Sequence, residues 1–265
     1  MDSSSRPRHL AIIMDGNGRW AELRRRDRVF GHLRGARIAK QTIETCAELG
    51  LEQLTLYAFS TENWLRPKAE VSFLMMLLGR HLRKERAALV KNNIRFSVIG
   101  DLTRMPDFVT EEVKKTIAAT MECTGMKLTF ALSYGGRQEI TEAARALARK
   151  VADGSLKPED ITQEMLAGEL QTKSMKDPDL IIRTSGEYRL SNFMLWQAAY
   201  SELYITKVLW PDFDHTELQK AFAHYASRER RFGRTTAQVK HIPIAPEPKQ
   251  EPRSDSEPLL RVQTQ

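Results

Sequence analysis

His9-Leu10-Ala11-Ile12-Ile13-Met14-Asp15-Gly16-Asn17-Gly18-Arg19-Trp20-Ala21 is the stretch whose reading decides the fold. Leu10 to Met14 is an unbroken apolar run of strand length and reads as a buried strand. It breaks into Asp15-Gly16-Asn17-Gly18-Arg19, where two glycines permit positive φ and let backbone N–H groups approach a ligand closely. A carboxylate at a strand tip can hold a cation, while the amides and the Arg19 guanidinium can hold an anion. The loop is therefore suited to a phosphate held together with a metal.

Three other readings compete. Asp-Gly alone is a common turn signal. Gly16-x-Gly18-x-x-Ala21 fits a dinucleotide fingerprint, but Asp15 would repel an unmetallated pyrophosphate. The acid expected ~20 residues further on is also missing, with Ala36 in its place. An aspartyl phosphatase would want a second acid two residues after Asp15, where Asn17 stands.

The chain has 265 residues, enough for one α/β domain with a full core. Its net charge of +7 is concentrated early: residues 1–40 hold ten Lys and Arg against four Asp and Glu. A basic patch can mean nucleic acid, but no nucleic-acid module is present and these arginines surround the Asp-Gly-Asn-Gly loop. A small polyanionic substrate explains them better. Cys46 and Cys123 fall at apolar positions of expected helices, which favours buried thiols in a reducing cytosol. The N-terminus lacks the apolar core of a signal peptide, and no apolar run approaches the ~20 residues that span a bilayer.

Beyond the first strand, residues 22–31 read as a charged connector and Leu33 to Leu49 as a helix stopped by Gly50. Leu54 to Phe59 is a strand and Ser60 to Pro67 a loop. Glu70 to Lys91 is a long helix, unusually apolar from Val71 to Leu82, which implies either burial or a wall of an apolar cavity. Ile94 to Ile99 is a strand, Thr110 a helix cap, Leu128 to Ser133 a strand, and Glu139 to Val151 a helix. Thr162 caps a short helix, Leu180 to Arg183 is a strand, and Phe193 to Tyr200 reads as helical. Tyr204 to Leu209 is a strand and His215 to Arg231 the closing helix. Residues 1–8 are expected to be a flexible N-terminus, 9–233 the folded domain, and 234–265 a disordered Pro-rich tail.

Strand and helix alternate, so the expected fold class is α/β: a single domain with a central, mostly parallel sheet of about six strands flanked by helices. Such sheets bind ligands at the carboxyl ends of their strands. The unusual polar clusters all fall there, at Asp15–Arg19, Ser60–Arg66, Tyr134–Arg137 and Arg183–Ser191, and so indicate one composite pocket. Several arginines at strand ends match more than one phosphate group. Asp15 and Glu202 are the candidate ligands of Mg²⁺, which favours a few carboxylates with phosphate oxygens and water. Neither zinc spacing nor a Gly-x-Ser-x-Gly motif occurs.

His9 to Ala21 resembles, nearly word for word, the signature of the cis-prenyltransferases, the undecaprenyl diphosphate synthase family. The likeness continues in Phe30-Gly31-His32, in Tyr57 to Trp64 with Arg66-Pro67, and in Tyr134-Gly135-Gly136-Arg137. It is carried further by Asp179 to Thr184, Arg189 to Trp196, Glu202-Leu203-Tyr204, Trp210 to Phe213, and Arg228 to Gly233. Two positions depart from the pattern: Ser185 stands where glycine is usual and Ser133 where asparagine is usual.

The resemblance implies a cytoplasmic homodimer that extends an allylic diphosphate with isopentenyl diphosphate, forming cis double bonds along an apolar tunnel. It implies Mg²⁺ on Asp15 and Glu202. Gly16, Asn17, Gly18, Arg19 and Trp20, with Arg28 and His32, would hold the allylic diphosphate. Arg183, Arg189, Leu190 and Ser191 would hold isopentenyl diphosphate, with Arg183 expected to lie away from the Gly16–Gly18 loop. Asn63 stands at the position assigned to proton removal, among Ser60, Thr61, Glu62, Trp64 and Arg66, which position substrate. Arg231-Phe232-Gly233 would contribute across the dimer. No nucleic acid and no transmembrane segment are implied, and a transient contact with a membrane surface would serve product release. A noncatalytic partner subunit of the same family would be expected to lack these charged residues, which are present. A nicotinamide-dependent oxidoreductase is the more distant alternative.

Overall fold

The computed structural model describes residues 6–228. The tail from residue 234 and Arg231-Phe232-Gly233 lie outside the described residues. Six strands form one wholly parallel sheet in the order β3-β4-β2-β1-β5-β6. They are β1 (His9–Ile13), β2 (Gln53–Ser60), β3 (Arg95–Ile99), β4 (Lys127–Tyr134), β5 (Leu180–Arg183) and β6 (Glu202–Ile205). Parallel neighbours need long crossovers. The crossovers carry α1 (Asn17–Glu22), α2 (Arg28–Glu48), α3 (Lys68–Lys91), α4 (Asp107–Ala119), α5 (Gly136–Ala152) and α6 (Gln163–Glu169), and α7 (His215–Ala226) follows β6.

The two faces of the sheet are covered unequally. Leu10 and Ile12, Leu54 and Leu56, and Leu128 and Phe130 enter one large core with Ile38, Ile43, Met75, Leu82, Val113 and Phe222 from the helices. Alternate residues Ala11, Ile13, Ala131 and Ile181 meet Phe193 and Met194 on the other face. Burial on both faces is why these strands read as continuous apolar runs.

β1 is central. Ile13 pairs with Tyr57 on one side and Arg183 on the other. Because every strand points the same way, the chain leaves β1, β2, β4 and β5 at one edge, and all four polar clusters meet there.

Several local expectations need correction. At the N-terminus, Arg6 Nη1 donates to the Leu49 carbonyl at 2.8 Å and Arg8 Nε to Glu52 at 2.7 Å. Part of the connector is helical, with α1 occupying Asn17–Glu22 and α2 starting at Arg28. The first turn of α2 faces solvent and so shows no apolar period. Helix α4 starts at Asp107, leaving Thr110 inside it and bonded to the Asp107 carbonyl. Phe193 to Trp196 is not helical because Ser191, Asn192 and Met194 have φ of 49°, 65° and 46°; only Gln197–Tyr200 forms a short 3-10 turn. β6 ends at Ile205, since Thr206 and Val208 offer their carbonyls to the Gly186 and Ser185 amides instead. Cys123 lies just past α4, and both thiols are free and buried. Thr162 does cap α6, accepting from the Met165 amide. Among the described residues no helix is long and apolar enough to cross a membrane.

Candidate active site

The tip of β1 is tied to the end of β5. The Asp15 amide donates to Thr184 Oγ1 at 2.9 Å, and Thr184 Oγ1 donates to the Asp15 carbonyl at 2.6 Å. This aims the Asp15 carboxylate at Arg183, whose Nη2 donates to Oδ2 at 2.9 Å. Arg19 Nη2 lies 3.5 Å from the same oxygen. Burial by itself would raise the Asp15 carboxyl. The Arg183 hydrogen bond and charge, with Ser185 and Arg19, outweigh it and hold the group below the usual carboxylate range. Asp15 is therefore ionised at neutral pH.

Arg183 is only 4% exposed. Its Nη1 donates to Ser191 Oγ at 2.7 Å and to the Arg189 carbonyl, while its buried Nε has no hydrogen-bond partner. A guanidinium so held is a fixed donor with unspent capacity, suited to an anion. Arg19 is steadied by Ser185 Oγ at 2.6 Å and by Glu187, which also holds Arg189 at 2.6 Å. Ser185 adopts φ +77°, a left-handed backbone that a glycine would take without cost. Asp15, Arg183, Arg189, Ser191, Ser60, Glu62, Asn63 and Arg66 line one polar cavity of about 590 Å³.

A second cationic group sits where α1, α2 and α3 meet. Arg28 lies across Gly18, where an added Cβ would fall 2.4 Å from its Cζ. Arg66, Arg28 and His32 surround the Glu70 carboxylate at 3.0, 3.4 and 3.6 Å. Burial, and then the Arg66 charge, depress His32 to about 4 despite Glu70, so its ring is neutral at pH 7. Its Nε2 and Asn17 Oδ1 are buried without hydrogen-bond partners.

Thr61–Leu65 is a 3-10 turn in which Asn63 Oδ1 accepts from the Ser60 amide at 3.1 Å. Trp64 Nε1 donates to Ser133 Oγ at 3.0 Å, and Glu62 accepts from Asn192 at 2.8 Å. Behind this turn an apolar cavity of about 170 Å³ shares Met14, Tyr57, Asn63 and Arg66 with the polar one. Ala58, Leu74, Leu78, Phe130 and Trp210 line it, as do His32 and Asn17.

Not every expected residue converges. Trp20 is buried and its Nε1 donates to Asp212 at 2.7 Å, a core role outside both cavities. Leu190 packs in the smaller apolar cluster, and Thr61 faces Gly135. Glu202 opens β6 beside Leu180, whereas Asp15 follows the far end of β1. Within one chain they stand at opposite ends of the sheet. Arg183, expected away from the Gly16–Gly18 loop, touches Asp15 because β5 is the neighbour of β1. Sequence reasoning missed Tyr57, Asn192 and Trp210. Tyr57 donates to the Tyr134 carbonyl at 3.0 Å, and Asn192 Oδ1 takes the Arg137 amide at 2.8 Å. All three fall within the stretches that carried the resemblance, but no role had been given to them there; the Ser191-Asn192 pair is also a type of sequence that tolerates left-handed backbone.

Mg²⁺ is bound through one or two carboxylates completed by substrate phosphates and water. Among the described residues no group of three or more His, Cys, Asp or Glu could cage a metal. An ionised Asp15 among phosphate-matching donors fits the sparser Mg²⁺ arrangement.

A cleft that meets phosphate oxygens at one end and hydrocarbon at the other has the form required of a prenyltransferase. The chain belongs to that family: a family model described as putative undecaprenyl diphosphate synthase matches residues 13–233. It is an enzyme of the cis-prenyltransferase class. An isoprenyl transferase of Chlorobaculum tepidum is 51% identical over 234 residues, 88% of each chain. Lavandulyl diphosphate synthase from Lavandula x intermedia, solved in complex with dimethylallyl diphosphate, superposes with a TM-score of 0.85 at 40% identity, covering 87% of this chain and all of that one. A probable undecaprenyl diphosphate synthase from Campylobacter jejuni gives 0.71 at 35% identity, covering 88% of this chain and all of that one.

Proposed function

We propose that this prenyltransferase is Mg²⁺-dependent and extends farnesyl diphosphate with successive isopentenyl diphosphates, making a cis-polyprenyl diphosphate that becomes the lipid carrier for cell-wall glycans. The observation that carries the reading is the Asp15–Arg183–Ser191 cluster opening into an apolar cavity at Met14, Tyr57, Asn63 and Arg66. A relative solved with dimethylallyl diphosphate supports an allylic diphosphate as one substrate.

In each cycle the allylic carbon–oxygen bond breaks, a carbon–carbon bond forms to isopentenyl diphosphate, and one proton passes from that substrate to the departing diphosphate. Negative charge grows on the departing diphosphate. Arg19, Arg28 and the α1 amides stabilise it without reorganising. Asp15 would hold Mg²⁺, which would supply further neutralisation of that charge. Arg183, Arg189 and Ser191 hold the isopentenyl diphosphate. Asn63 orients that substrate rather than taking its proton, because a carboxamide is a poor base and its oxygen already accepts from Ser60. The enzyme acts as a cytoplasmic homodimer. Among the described residues β6 is a sheet edge carrying exposed Leu203, with Tyr200 close by in sequence, which suits it to an interface.

Incubation with labelled isopentenyl diphosphate and a series of allylic starters tests the reading. Farnesyl diphosphate should be the best starter, extension should stop on chelation, and magnesium should restore it. Extension that survives chelation, or preference for another starter, contradicts it.

A further inference from the structure

We propose that Ser185 is a positioning residue for the allylic diphosphate: its hydroxyl and carbonyl together fix the Arg19 guanidinium beside the Gly16–Gly18 loop. The inference rests on the substrate sites proposed above and adds to them a residue that touches no substrate itself.

The backbone at Ser185 is left-handed although the residue is not glycine. Its φ is +77°, and Gly186 follows at +74°. The turn after β5 imposes this geometry, because the Ser185 and Gly186 amides donate to the Val208 and Thr206 carbonyls, each at 2.8 Å. Glycine adopts such a backbone freely, whereas a side chain brings its Cβ against the following carbonyl oxygen. The chain nevertheless carries a serine at 185, and that serine is only 8% exposed. Contact with water therefore does not account for the hydroxyl.

Arg19 does. Its Nη2 donates to Ser185 Oγ at 2.6 Å and its Nη1 to the Ser185 carbonyl at 3.3 Å, so one residue meets both terminal nitrogens of the guanidinium. Glu187 adds an ion pair to Nη1 at 3.1 Å. Ser185 also packs against the glycine loop: a Cβ added to Gly16 would lie 3.1 Å from the Ser185 Cβ. The Arg19 side chain is 43% exposed. A long side chain left free in water loses rotamer freedom when it meets a ligand, and that loss weakens binding. Held by Ser185, Arg19 is already ordered. Without the hydroxyl, Nη2 still has the Asp15 carboxylate 3.5 Å away, and an Arg19 drawn onto Asp15 is a donor lost to the diphosphate.

The test compares Ser185→Gly with Ser185→Ala. Both remove the hydroxyl and keep the carbonyl, but glycine relieves the left-handed strain and alanine retains it. Equilibrium binding of a non-reacting thio analogue of farnesyl diphosphate should weaken roughly three- to tenfold in both, the scale of freeing one long side chain. Isopentenyl diphosphate, titrated alone, should be affected less. The thermal midpoints should diverge: Ser185→Gly should lie at wild type or up to about 4 °C above it, and Ser185→Ala at or below it. In an Arg19→Ala background, Ser185→Gly should weaken analogue binding no further, since the hydroxyl acts through Arg19. Unchanged analogue affinity in Ser185→Gly overturns the proposal, because a loss confined to Ser185→Ala would merely follow its lower stability. An undiminished effect of Ser185→Gly in the Arg19→Ala protein overturns it too. If wild type binds no allylic diphosphate, the parent reading falls and this one with it; if wild type and both variants bind equally well, only this one falls.

Discussion

Asp15, a residue of the proposed phosphate site, is also the carboxylate on a guanidinium only 4% exposed. Asp15→Asn keeps an acceptor near Arg183 but removes the charge. Turnover should fall by roughly 10²–10³, the scale of one preorganised electrostatic group. Asp15→Ala should add a stability loss of about 1–3 kcal/mol, since Arg183 is left buried without a carboxylate. Kinetics and thermal unfolding of the two variants check this; a folded Asp15→Asn enzyme with normal turnover contradicts the role. The folded carboxyl lies below its unfolded value, so its stabilising contribution is complete above the unfolded pKa of about 3.9 and is lost as pH falls through the folded pKa. The stability gap between wild type and Asp15→Asn should stay constant above about pH 5 and narrow below about 4. Arg183 joins β5 to Asp15, so Arg183→Ala should weaken both substrates, which separate titrations with isopentenyl and allylic diphosphates will show. At this scale the sequence made Asp15, Arg19, Arg183 and Ser191 legible, since a strand-end glycine loop and arginines announce phosphate chemistry. The places of Trp20 and Glu202 in the fold, one under Asp212 and one at the opening of β6, were not legible. A motif records which residues occur together, not which face of a helix or which end of a strand each occupies.

At the scale of elements, the long apolar run in α3 belongs to two environments at once. Met75 and Leu82 are core, while Leu74, Leu77 and Leu78 are half-buried and line the cavity. Ala58 faces them from β2, beside a register irregularity between Tyr57 and Phe59. Ala58→Leu should therefore shorten the products, with the early additions comparatively fast because the diphosphates are held elsewhere. Were Ala58 ordinary core, the same change would cost ~1–3 kcal/mol of stability and leave product length alone. Product sizing and thermal unfolding of that variant separate the outcomes. Periodicity found α3 and the strands because their burial is continuous. It missed the start of α2, whose first turn is solvated. It also misread Phe193 to Trp196, where left-handed backbone at Ser191, Asn192 and Met194 breaks an otherwise plausible helix.

For the molecule as a whole, strand–helix alternation was enough to foresee a parallel sheet and a pocket at one edge. Strand order was not legible, and the contact between Asp15 and Arg183 depends on it. The family match ends at residue 233, so deleting residues 240–265 should leave turnover and thermal stability unchanged; a large loss of either would give that segment a catalytic or structural part. The central claim is that this pocket lengthens an isoprenoid chain with cis geometry. The most direct test is to supply ¹³C-labelled isopentenyl diphosphate, farnesyl diphosphate and Mg²⁺, and to read the new double bonds by NMR. The account predicts label in a lengthened chain whose added bonds are cis, with the signal strongly reduced for Asp15→Asn. Label confined to unreacted isopentenyl diphosphate, or added bonds that are trans, would contradict it.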